Sequence, residues 1–118
     1  MRNTTGVYSI TCTANDRVYI GATGRDLKER WGVHRRTLRT HRHANPRLQA
    51  DYDRFGPEVF KYAVVEEVTA LSRLARRERY WINISRAHAL VLYNSHRGRL
   101  WHRRVRRVAP TYELEVAA

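Results

Sequence analysis

The chain has 118 residues, of which 42% are hydrophobic. That is enough for one small packed domain and too much for general disorder. A net charge of +12, from 23 basic against 11 acidic residues, steers the chain toward polyanions, nucleic acid before anionic membrane. The apolar run near Ala87 to Tyr93 is far too short to span a bilayer, so a membrane role is not expected. A single cysteine, Cys12, excludes an internal disulfide and a cysteine-based zinc site. No apolar signal segment precedes the first predicted strand, so an intracellular, cytoplasmic protein is expected.

Residues 6 to 12 and 18 to 22 are β-prone, and Thr13 to Arg17 between them reads as a turn, which predicts a hairpin. With Asn15 opposite Cys12, Tyr8 would face Tyr19 and both rings would share one face. A slip of one residue would separate them. Residues 25 to 39 read as a helix, because Leu27, Trp31, His34 and Leu38 recur at steps of four and three. Asn45 is the expected N-cap of a second helix, with Pro46 at its first position and Gly56 closing it. Phe60 to Glu66 is the third predicted strand. Ala70 to Arg86 is the third helix, with Thr69 as its cap. The order β-β-α-α-β-α predicts a small α/β (α+β) domain with a three-stranded, mostly antiparallel sheet flanked by helices. The domain is assigned to residues 1–95 and a basic C-terminal tail to residues 96–118.

Several residues fit a purely structural reading poorly. On the third helix Leu71, Leu74, Ala75, Trp81, Ile82 and Ser85 define the expected inward face, with Glu78 in its middle. An ionised carboxylate there needs compensation from an arginine, a tyrosine or a metal ion. An ordinary salt bridge would serve. So would Mg²⁺, which takes one or two protein oxygens and keeps its waters until phosphate replaces them. Arg30 and His34 lie four apart, hence on one side of the first helix. Arg30 is forked and permanently charged, which suits a phosphate transition state. His34 could be a satisfied core residue, or it could hold or relay a proton from a phenol. His43 reads as a loop histidine and Asn94 as a turn residue. Of the 23 basic residues only Lys28 and Lys61 are lysines. The arginine skew fits bidentate phosphate recognition and equally a GC-rich genome. Arg35, together with Arg97, Arg99, Arg103, Arg104, Arg106 and Arg107 of the tail, forms the expected DNA-contacting set, with a solvated end as the structural alternative.

Gly6-Val7-Tyr8, then Tyr19-Ile20-Gly21, Arg30, His34, Glu78 and Asn94, together resemble the GIY-YIG nucleases. The similarity is strongest to the catalytic domains of phage and intron-encoded endonucleases of that family. It runs from about Gly6 to Asn94, with Val7 where the family name has isoleucine. The resemblance implies hydrolysis of a DNA phosphodiester with one divalent metal, Mg²⁺ or alternatively Mn²⁺. It implies Glu78 as metal ligand, Arg30 as the group stabilising phosphate charge, and Tyr8 and Tyr19 as the pair that activates or positions water. His34 and His43 match positions that assist proton movement or phosphate contact, and Asn94 one that supports the site. A free phenol titrates near 10. Arg30 and a metal are expected to bring it down toward a usable base. A bare catalytic domain with a basic tail is expected to bind DNA with weak sequence specificity. The alternatives are a non-catalytic nucleic-acid-binding module and a catalytic subunit that takes specificity from a partner protein.

Overall fold

The computed structural model describes residues 4–94; the predicted basic tail lies outside them, with all its arginines. Strands β1 (Gly6–Cys12) and β2 (Arg17–Thr23) form the hairpin. Helices α1 (Leu27–Arg39) and α2 (Pro46–Phe55) follow, and the 3₁₀ turn Pro57–Val59 leads into β3 (Phe60–Glu67). Helix α3 (Leu71–Ala87) comes last. The sheet order is β2-β1-β3, antiparallel throughout, so the predicted architecture is observed.

The central strand β1 separates two cores. Tyr8, Ile10 and Cys12 point to one face, where they meet Leu27 and Leu38 of α1, Leu48 of α2, Phe60 and Tyr93. Val7 points to the other, joining Val18, Ile20, Val68, Leu92 and Ile82 of α3. The result is three layers, with α1 and α2 on one side of the sheet and α3 on the other. Alternation of side chains along a strand makes this possible. Between the layers, Glu66 of β3 accepts hydrogen bonds from Arg77 Nε at 2.7 Å and Trp81 Nε1 at 2.9 Å, pinning α3 to the sheet.

The helix ends follow local chemistry. Asp26 caps α1 through Glu29 N–H, so the helix begins at Leu27 rather than at residue 25. Asn45 caps α2 as predicted, accepting from Arg47 and Leu48, with Pro46 at the first position and Gly56 at the end. At α3 the prediction fails: the cap position is Ala70, not Thr69, and no side chain bonds the first turn. The inward face of α3 also differs. Leu71 is 63% exposed and Ala75 is exposed, while burial concentrates at Tyr80, Ile82, Ile84 and Ser85. Glu78 is half-buried. Helical periodicity identifies a face but not how far along the helix its neighbours extend.

One buried carboxylate ties the hairpin turn to the segment that follows α3. Asp51 of α2 accepts from Tyr93 Oη at 2.6 Å and from Asn15 Nδ2 in the hairpin turn at 2.9 Å, with Arg17 at 3.6 Å. No described helix is long and apolar enough to cross a membrane.

Candidate active site

The hairpin register is shifted by two from the expected one. Cys12 pairs with Arg17, Ile10 with Tyr19, and Tyr8 with Gly21. A shift of two preserves parity, so Tyr8 and Tyr19 still share a face. Their rings lie 6.5 Å apart, diagonal rather than opposite. The register explains one glycine: a Cβ at position 21 would come within 2.5 Å of Tyr8 Oη and Cζ. The phenol crosses its neighbour's backbone only because Gly21 has no side chain.

Helix α1 delivers the next residues. His34, 2% exposed, places Nε2 2.5 Å from Tyr8 Oη. Its Nδ1 lies 2.7 Å from Nε2 of His43, which arrives from the α1–α2 loop, and the two imidazoles stack at 4.9 Å. Tyr19 packs edge-on against both, at 5.4 and 6.0 Å. The loop is held by Gln49, whose Oε1 accepts from His43 N–H at 3.0 Å, and by Asn45, whose side chain donates to Tyr93 O at 3.2 Å.

Asn94 closes the β2 side. Val18 N–H donates to Val91 O and Tyr93 N–H to Val18 O, a short parallel pairing with β2. One step on, the Asn94 side chain continues the ladder, with Oδ1 accepting from Ile20 N–H and Nδ2 donating to Ile20 O, both at 2.8 Å. Read as a turn residue or as a support of the site, Asn94 proves to be a strand mimic adjoining Tyr19.

These elements surround a cleft of about 550 Å³. Tyr19, Arg30, His34, His43, Glu78 and Asn94 line it, and Tyr8, 1% exposed, sits beneath. All seven central residues from the sequence are therefore brought together. The α3 wall consists of Ala75, Glu78, Arg79, Ile82 and Arg86, a stripe of helical spacing. Arg42, Arg79 and Arg86 were not anticipated. The positions of Arg79 and Arg86 follow from their spacing with Ile82, whereas nothing in the sequence marks the loop residue Arg42. Arg35 does not line the cleft; its guanidinium lies 4.2 Å over the ring of Tyr62.

The electrostatics revise one expectation. Burial pushes the Tyr8 phenol up from its ordinary value, and neighbouring Tyr19 adds to this. Arg30 pulls the other way without winning. The arginine alone does not make Tyr8 a ready base. Burial, with Arg30 and His43 adding to it, lowers His34 to about 3. His43 is lowered too, by burial and Arg30, so both imidazoles are neutral. Burial raises Glu78, partly offset by Arg79.

A pH dependence follows. The unfolded chain protonates His34 near 6.5 and the folded one only near 3. Between those values the unfolded state holds the extra proton, so stability falls as pH drops, by about 1.4 kcal/mol per unit from this residue. In an NMR titration the His34 ring resonances should show no step between pH 8 and 5. A titration near 6.5 would contradict the burial argument.

The donor set limits which metal could bind. Among the described residues no group of three or more His, Cys, Asp or Glu exists, so these residues form no all-protein cage. One carboxylate beside an arginine-lined cleft fits a hard cation that shares its shell with water and phosphate.

The chain is 33% identical over 78 residues to intron-associated endonuclease 1 of Enterobacteria phage T4, covering 65% of this chain. It spans 31% of that relative's length. Two solved structures match at 30% identity. The catalytic domain of homing endonuclease I-TevI gives a TM-score of 0.62, covering 67% of this chain and 85% of that one. A mutant form of the I-TevI catalytic domain gives 0.63, with 68% and 81% covered. The GIY-YIG catalytic domain model matches residues 4–94, all the residues that build the cleft, and this chain belongs to that family.

Proposed function

We propose that this domain is a DNA endonuclease that hydrolyses phosphodiester bonds with Mg²⁺, or alternatively Mn²⁺, held at Glu78. The observation that carries the reading is the cleft carboxylate, set among arginines and facing two tyrosines and a histidine pair. Arg30 lines the cleft as a fixed positive charge for the phosphate. Glu78 would hold the metal, which when bound supplies Lewis-acid polarisation of the phosphate and a lower pKa for water. Tyr19 at the wall and Tyr8 beneath orient the attacking water. Asn94 keeps Tyr19 in place by fixing the strand edge beside it. The relatives' names speak of intron-associated and homing endonucleases, which supports DNA as substrate.

Recognition is expected to be weakly sequence-specific, because the cleft offers arginines for phosphates and so small a domain can make few contacts to base edges. A partner protein could supply further specificity. The test is cleavage of supercoiled plasmid by the purified chain. Nicked product should appear with Mg²⁺ or Mn²⁺ and vanish in EDTA, and binding should weaken steeply as salt rises. No cleavage of supercoiled, linear or single-stranded DNA with either metal would overturn the proposal.

A further inference from the structure

Hydrogen-bond direction along the row Asn45, His43, His34, Tyr8 is decided at one end. Nδ1 of His43 lies 3.0 Å from the backbone nitrogen of Asn45. A backbone N–H can only donate, so that Nδ1 must be an unprotonated acceptor. A neutral His43 then carries its hydrogen on Nε2. This atom faces Nδ1 of His34 at 2.7 Å, and a hydrogen bond there makes His34 Nδ1 the acceptor. His34 in turn carries its hydrogen on Nε2, the atom 2.5 Å from Tyr8 Oη. Burial lowers the pKa of both rings, which keeps each to one hydrogen.

We infer that Asn45 and His43 are positioning residues that lock His34 as the Nε2–H tautomer, so that His34 donates to the Tyr8 oxygen and turns the phenol's own hydrogen toward another acceptor. The inference deepens the nuclease reading and rests on it for its catalytic consequence. It also reverses one role considered from the sequence: resting His34 is not placed to accept a proton from Tyr8. It acts instead as a donor that fixes the phenol oxygen, as an oriented imidazole does in other catalytic rows. The device is built into the α2 cap. Asn45 is 2% exposed; its side chain caps the helix while its backbone N–H sets the tautomer. Gln49, one turn on, holds the His43 backbone in register.

The experiment is long-range ¹H–¹⁵N correlation on histidine-labelled protein near neutral pH. Both His34 and His43 should show a protonated Nε2 and a bare Nδ1. A protonated Nδ1 on either ring, or averaging between tautomers, would overturn the lock. Two variants supply the catalytic readout. His43→Leu removes the donor to His34, so the His34 signals should average and kcat should fall by about 10-fold or more, with KM for DNA largely held. His43→Gln places an amide donor in the same position and should restore both the His34 tautomer and most of kcat. Equal losses in the two variants with an unchanged His34 tautomer would refute the positioning role. The NMR arm reads the tautomers whether or not the chain cuts DNA. A locked row in an inactive protein would therefore defeat the nuclease reading alone.

Discussion

Glu78→Ala should abolish cleavage while leaving the domain folded. The rate on supercoiled plasmid is expected to fall by about 10³-fold or more, because among the described residues Glu78 is the only carboxylate lining the cleft. DNA binding should survive, since Arg30, Arg42, Arg79 and Arg86 remain. Stability supplies the internal control. Burial raises the Glu78 carboxyl above its ordinary 4.5, so the folded state binds its proton more tightly than the unfolded state does. The ionised form therefore opposes folding at neutral pH, and this penalty fades as pH falls through the raised folded value and is gone below the ordinary 4.5. The variant should be at least as stable as wild type at pH 7, with the difference shrinking in acid. Wild-type cleavage by Glu78→Ala would remove this residue from the mechanism. Loss of activity with loss of fold would contradict the electrostatic argument.

The second large effect is on the fold. Gly6 has φ of +147°, and a Cβ there would overlap Glu66 O and stand 2.7 Å from Val68 N and 2.9 Å from Glu67 Cα. All three obstacles are backbone, so no rotamer change relieves them. They arise where β1 pairs with the end of β3, beside the register shift between Val7 and Tyr8. Gly6→Ala should cost more than about 3 kcal/mol. For a domain of this size that is a Tm drop above roughly 12 °C. Gly32→Ala is the matched control, because a methyl group at this position on α1 would meet nothing within 4 Å. It should raise stability by about 0.5–1 kcal/mol through helix propensity. A Gly6→Ala protein that melts within a few degrees of wild type would show that β1 can shift away from β3.

The features legible in the sequence were those that depend on parity, period and caps. Alternation placed Tyr8 and Tyr19 on one face even though the turn held four residues and the register moved by two. Asn45, Pro46 and Gly56 bounded α2 because capping is local chemistry. The stripe Leu27, Trp31, His34 and Leu38 predicted the buried face of α1. What stayed hidden depends on distance between elements. The spacing of His34 and His43 gives no hint that their rings stack, because the intervening loop doubles back under Gln49. Asn94 looked like a turn residue because sequence does not show that β2 has an edge to be completed. The exposure of Leu71 and Ala75 reflects where α3 meets the sheet, which no helical period encodes.

The Asn94 hook sets a rule for grafting this domain onto other proteins. A fusion partner joined after residue 94 leaves the β2 edge intact. A junction four residues earlier deletes both the Val18 pairing and the amide on Ile20, and with them the support of the strand that carries Tyr19. Because the hook also lines the cleft, a pull on the C-terminal side of Asn94 would bear on the strand that carries Tyr19. Linker length and tension at that junction thus become handles on the geometry of the cleft.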